Sequence, residues 1–291
     1  MKKGTKVMVI IAGIFAAAGT GLCIGGVAMG ATKEGAKAFE QVTRAFRDNR
    51  YPGAGLIRVG KTFTIYDNEE DWDEEITDST EVSFAQDLEI NLKYDELVFQ
   101  EYPGDKIQVE TVNDVAGDIT VAESDGKVTI TDQASGVRKR RKKVTVSVPV
   151  GEKFEHIMLS VDAGTIEWDS DLDAKNFSVE VGAGEFSGSG MVKADQCSLE
   201  VGAGTIELET LDARTIRADC GTGEIDIELA GKETDYNYEL SCGMGEIDIM
   251  DSEYSGLGIE KTISNEGAGG KLTLNCGMGE INVDFSDESL S

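Results

Sequence analysis

The sequence Cys242-Gly243-Met244-Gly245-Glu246-Ile247-Asp248-Ile249 recurs in degrading copies at 160–167, 181–186, 201–207, 220–226 and 276–282. The last glycine of each copy falls at 164, 184, 204, 223, 245 and 279. A unit of about twenty residues cannot bury an apolar face alone, so such units stack, and this one predicts a solenoid. Around each glycine pair the apolar residues alternate with period two, the signal of a strand. Aligned copies give columns. One holds Ile157, Phe177, Cys197, Ile216, Tyr238 and Leu272; the next holds Leu159, Val179, Leu199, Ala218, Leu240 and Leu274. A third holds Val161, Val181, Val201, Cys220, Cys242 and Cys276. After the glycines come Ile166, Phe186, Ile206, Ile225, Ile247 and Ile281, then Trp168, Gly188, Leu208, Ile227, Ile249 and Val283.

Each coil therefore reads as strand, Gly-x-Gly corner, strand, with the columns facing inward. Glycine is expected at the corner for positive φ and for room between backbones stacked about 4.8 Å apart. The predicted class is all-β: a β-solenoid of parallel β-helix or β-roll type over 151–285, with a six-residue tail at 286–291. The longer interval from 245 to 279 predicts an insertion at 252–270 that bulges from a corner.

Ahead of the repeats, 1–6 is a basic tail carrying Lys2, Lys3 and Lys6, and 7–31 has no charge. Twenty-five such residues suffice for a membrane-spanning helix, which needs about 20. They exceed a secretory h-region, so the reading is an uncleaved, single-pass anchor. The dense lysine tail resembles a signal-anchor start and places the C-terminal domain outside the cytoplasm. A bare count of Lys33, Lys37, Arg44, Arg47 and Arg50 after the span points the other way. Residues 32–60 read as a juxtamembrane helix and linker, and 61–150 as an N-terminal β region. Within it 67–81 carries nine carboxylates and reads as a solvated acidic loop. Arg138, Lys139, Arg140, Arg141, Lys142 and Lys143 read as an exposed hairpin tip, or as a contact for anionic lipid or wall polymer.

Net charge is −28, which excludes nucleic acid as a partner, because phosphate is repelled. No Cys-x-x-Cys spacing exists, so zinc is not implied. Cys197, Cys220, Cys242 and Cys276 read as buried small hydrophobes, with a stacked Cys220–Cys242 disulfide as second choice. His156 is the one histidine and is expected outward and idle. No Ser/His/Asp set or phosphate loop appears, and the corner glycines precede strands rather than a helix. The reading is no enzyme and no cofactor. The metal candidate is calcium, on outward carboxylates stacked beside the corner: Glu224, Asp226, Glu246, Asp248 and Glu280.

The lysine tail, the span ending Val27-Ala28-Met29-Gly30-Ala31, the strand ending Val148-Pro149-Val150-Gly151 and the repeated Gly-x-Ile strands resemble the bacterial putative-adhesin family of β-strand-repeat proteins. The resemblance covers most of 85–285. It implies a domain of unknown function on envelope proteins, some tied to envelope stress, and supplies no catalytic residues. The expected function is a membrane-anchored, non-catalytic binding or structural module of the cell envelope. Its partners would be wall polymer, anionic lipid or another envelope protein. The competing expectations are a regulatory membrane scaffold for a signalling protein and a carbohydrate-active β-helix enzyme.

Overall fold

The computed structural model describes residues 76–134 and 142–286. The basic tail, the expected span at 7–31, the juxtamembrane segment, Arg138 to Arg141 and the tail beyond 286 lie outside them. Strands β1 (Ile76–Ser83), β2 (Asp87–Leu92), β3 (Glu96–Tyr102), β4 (Lys106–Val112), β5 (Ile119–Ser124), β6 (Lys127–Asp132) and β7 (Lys143–Pro149) come first. The repeats supply β8 (Lys153–Val161), β9 (Thr165–Trp168), β10 (Leu172–Val181), β11 (Glu185–Val201), β12 (Thr205–Cys220) and β13 (Glu224–Ala230). A 3-10 turn at Glu233–Asp235 leads to β14 (Tyr236–Cys242), β15 (Glu246–Ile249), β16 (Ser252–Ser255), β17 (Ile259–Ile263), β18 (Gly270–Cys276) and β19 (Glu280–Ser286). The segment expected as an acidic loop is therefore strand from Ile76 onward, paired antiparallel with β4. Among the described residues no helix is long and apolar enough to cross a membrane.

All strands join one sheet wound into a stack. The sequence columns are its ladders: Phe177 sits between Ile157 and Cys197, and Phe186 between Ile166 and Ile206, each in parallel register. Nearly every column residue is buried, and each buried Val, Leu or Ile contributes about 1.5–3 kcal/mol relative to exposure. Phe99 stacks on Trp168 at 3.7 Å between ring centroids, extending the aromatic part of the core below the first glycine repeat.

Spatial order departs from sequence order at both ends. β2 and β3 lie between β6–β7 on one side and β8–β9 on the other, although the chain visits β6, β7, β8 and β9 consecutively. Likewise β18 and β19 lie between β12–β13 and β14–β15. Each terminal coil is thus inserted between two coils that are neighbours in sequence. The solenoid begins at β2, so 61–150 contributes two coils of the same stack. The insertion at 252–270 does not bulge outward. Its β16 turns back antiparallel along β15 and its β17 along β14, closing that end of the stack. At the other end β5 pairs antiparallel with β6, and β4 with β7.

The corner glycines are required for space and not for φ. None of Gly164, Gly184, Gly204, Gly223, Gly245 and Gly279 has positive φ. A Cβ on Gly184 would lie 2.0 Å from the Gly164 carbonyl oxygen, and one on Gly204 2.1 Å from that of Gly184. Both obstacles are backbone, so the coils would have to part. Gly204→Ala is expected to cost about 3 kcal/mol, as overpacking does, and to lower the melting temperature by roughly 6–12 °C. Gly269, whose added Cβ would meet nothing within 4 Å, is the control. Gly269→Ala should shift stability by less than about 0.5 kcal/mol in the same thermal melt.

Candidate functional site

The five carboxylates read as a calcium site fall on two ladders. Glu280 stands in register between Glu224 and Glu246, and Asn282 between Asp226 and Asp248. Asn282 Nδ2 donates to Asp226 Oδ1 at 2.7 Å and to Glu280 Oε1 at 3.1 Å, an amide threaded among the acids. The carboxylates spread along the stack and do not converge. Among the described residues no three His, Cys, Asp or Glu side chains gather as a metal site, so the calcium expectation finds no converging set there. The mutual repulsion is real. Asp226 raises the Glu224 carboxyl, while partial desolvation and then neighbouring acids raise Glu246 and Asp248.

The basic run is also divided. Lys143 reaches Glu96 Oε1 at 3.2 Å and remains part exposed. Lys142 is not a surface contact. Its side chain is 3% exposed, and its ammonium lies 2.8 Å from Asp132 Oδ1 and 3.6 Å from Asp95 Oδ1. The register explains this. Thr131 pairs with Asn91 and Lys143 with Glu96, so Asp132 occupies the inward column of Val161, and Lys142 the corner position beside Asp95. Asp132 and Lys142 thus take the column and corner positions that Val161 and Gly164 hold in the β8–β9 coil, and Asp95 supplies the corner of the coil between them. Two acids share one lysine here, and Asp95 Oδ2 is buried with no partner among the described residues. Burial first, then Asp132, push the Asp95 carboxyl up to about 7 against the opposing pull of Lys142. The anionic-surface reading keeps Lys143 and the four residues outside the described range, and loses Lys142. An acid at an inward column position and a lysine at a corner position were the sequence signal; a run of basic residues concealed it.

A third region was not anticipated. The in–out alternation slips at Lys175–Asn176, Asp195–Gln196 and Arg214–Thr215, where consecutive residues both face outward. Along this line runs a groove of about 620 Å³. Ala174, Ala194 and Ala213 form its floor in register. One wall is Lys153, Asp173, Lys193 and Asp212, which pair strand to strand with alternating sign. The other is Glu155, Lys175, Asp195 and Arg214, alternating in the opposite phase. Lys153 bonds Asp173, and Lys175 grips both oxygens of Glu155 at 2.6 Å. Tyr236 closes one end, its hydroxyl donating to the Ala213 carbonyl at 2.9 Å. The signal was legible as Asp-Ala-Lys, Lys-Ala-Asp and Asp-Ala-Arg at the repeat interval. His156 is exposed, with Nδ1 3.0 Å from Asn176 Nδ2.

Residues 85–290 match the family described as Toastrack DUF4097. The chain belongs to that family. Its Toastrack domain is similar to several solved structures. One, from Bacteroides fragilis and described as a putative adhesin, is 15% identical over 72% of this chain and 97% of its own, with a TM-score of 0.39. Another, a putative cell adhesion protein from Clostridium sporogenes, is 13% identical over 73% and 100%, with a TM-score of 0.34. A third, a putative lipid binding protein from Parabacteroides distasonis, is 14% identical over 73% and 98%, also at 0.34. No curated protein matches the chain significantly.

Removing one partner of a buried ion cluster leaves an uncompensated charge, so Lys142→Ala in the Toastrack domain should cost about 3–5 kcal/mol. That corresponds to a melting temperature roughly 10 °C lower. For Asp95 the folded value lies above the unfolded one, so the folded protein holds a proton that the unfolded chain releases between about pH 4 and 7. Its contribution to stability is present below that window and is lost as pH rises through it. Asp95→Asn should flatten the fall in melting temperature between pH 5 and 8. At the acidic ladder, Asp248→Asn should raise the melting temperature at pH 7 by roughly 2 °C and leave it unchanged near pH 3, since like charges opposite one another destabilise by a few tenths of a kcal/mol to about 1.

Proposed function

We propose that this Toastrack domain is a non-catalytic binding or structural module of the cell envelope, held at the membrane by residues 7–31. The observation that carries the reading is the groove. It is a shallow trough running along the stack, walled by two ladders of alternating charge at strand spacing. Its shape suits an extended chain, such as a wall polymer or a segment of another envelope protein, laid across successive coils. Lys193 and Arg214 line it, and neither makes an ion pair with the described residues. Family membership supports a role without chemistry. The net charge of −28 disfavours a purely anionic partner; one that mixes anionic groups with cations or hydroxyl groups meets both Lys193 and Arg214 and the acids beside them.

Two measurements test this. The full chain is expressed in a Gram-positive host and intact protoplasts are treated with protease. Cleavage before lysis is expected, with 138–141 among the cut sites. Protection until lysis would overturn the envelope placement and favour a cytoplasmic scaffold. The purified full chain is then sedimented with wall sacculi, alone and as the Lys193→Glu/Arg214→Glu double variant. The wild type should pellet and the variant should lose at least about tenfold in affinity, as two charge contacts worth about 1 kcal/mol each would give. Equal pelleting of both proteins, or of neither, would overturn the groove as the binding surface.

A further inference from the structure

The inserted last coil brings three cysteines into one line. Cys276 of β18 is in register with Cys220 of β12 on one side and with Cys242 of β14 on the other. Cys220 and Cys276 are 56 positions apart in sequence and are neighbours only because the last coil is threaded between the other two. In-register parallel strands stand about 4.8 Å apart, inside the about 4.4–6.8 Å between Cα atoms that a disulfide spans. The sulfurs lean one way along the stack. A Cβ on Gly279 would come within 2.6 Å of Cys220 Sγ, and one on Gly245 within 2.6 Å of Cys276 Sγ. Cys220 Sγ and Cys276 Sγ therefore each lie beneath the glycine corner of the next coil, the Cys220 thiol donating to the Gly223 carbonyl at 3.1 Å. Cys197, two columns away, has Phe177 and Ile216 as its ladder neighbours and no thiol to meet among the described residues.

We infer that Cys220 and Cys276 form a disulfide site that clasps the last coil into the stack, with Cys242 as the exchange partner on its far side. The order of events follows from the surroundings. The Cys276 side chain, and then the backbone amides at the corner, lower the Cys220 thiol against burial. Cys220 in turn is the leading cause that raises Cys276, and burial holds Cys197 up at about 12. Cys220 is thus the attacking thiolate. With an organic disulfide as oxidant, Cys220 Sγ attacks one sulfur of the oxidant, and the other leaves as a thiolate that takes up the Cys220 proton. Cys276 then attacks Cys220 Sγ and expels the second thiolate, which takes the Cys276 proton. Two electrons pass to the oxidant, and two thiols become one disulfide. Cys242 lies in line behind Cys276. It can attack Cys276 Sγ, expel Cys220 and transfer the clasp from one flank of the inserted coil to the other.

The test uses the full chain, folded, with oxidised glutathione as the oxidant. Free thiols are then blocked by alkylation, and the peptides are mapped by mass spectrometry. A Cys220–Cys276 crosslink is expected, reversed by a phosphine reductant, together with a melting temperature raised by about 5 °C or more, since the bond closes a long loop. Cys242→Ala should keep both effects. Cys276→Ala should abolish every intramolecular crosslink, and Cys220→Ala should move it to Cys276–Cys242. Mapping the wild type decides the matter even if a variant fails to fold. The proposal is overturned if the wild type yields only free thiols, only glutathione adducts or only crosslinks through Cys23 or Cys197. It is also overturned if the crosslink forms without raising the melting temperature. None of these outcomes bears on the groove, which the binding experiment tests separately.

Discussion

Backbone lies directly on backbone at the Gly-x-Gly corners, and the rest of the domain depends on that contact. At each corner the coil above donates to the coil below: Glu185 N to Gly164 O at 3.0 Å, Thr205 N to Gly184 O at 2.9 Å, Glu224 N to Gly204 O at 2.9 Å. The series continues with Glu280 N to Gly223 O and Glu246 N to Gly279 O, both at 3.0 Å. Hydrogen bonding therefore carries through the bend from one strand to the next, and the strands on either side stay in register. Register in turn places like on like: apolar columns inward, where ladders of Ile, Leu and Phe exclude water, and charges outward, where each meets its counterpart from the next coil. The two outer faces solve that second problem differently. Along the groove, sign alternates from coil to coil. Along the C-terminal ladder it does not, and an asparagine interrupts the row of acids.

Much of this was written in the sequence. Period-two alternation and the recurring glycines give the strands, the corners and the inward columns, because each coil repeats one local solution to one local problem. The order of coils was not legible. Nothing near Cys276 says that its coil belongs between those of Cys220 and Cys242, since all three carry the same motif and any of them fits beside any other. The deciding information is in the segments between: β16 and β17 fold back as an antiparallel end to the stack, so the chain must return one coil inward to find a free parallel edge. The same holds at the start, where β4 and β5 cover an end and β2–β3 already sits inside it.

Buried Lys142 escaped for a different reason. Six consecutive basic residues satisfy every expectation of a solvated loop, and composition cannot distinguish the last members from the first. Register can. Once Lys143 is paired with Glu96, Lys142 must take a corner position, and Asp132 a column position, with Asp95 alongside. Two acids with one base make this coil less stable at high pH than the apolar coils above it. The ion cluster also ties the end of β6 to the start of β7, through Asp132 and Lys142.

The threading of β2–β3 and β18–β19 has a mechanical consequence. A solenoid wound in simple sequence order can be peeled coil by coil from a free end, breaking one row of bonds at a time. In this domain a pull on the chain from residue 76 removes β1, an edge strand, and then meets β2, which is bonded to β6 on one flank and β8 on the other. Further extension must shear two ladders together, loaded along the strands. The C-terminal side has the same arrangement, with β18 held by β12 and β14. Tension applied at either end is therefore taken up inside the stack, one coil in from its edge, as in a lashing whose free end is tucked beneath its own last turn.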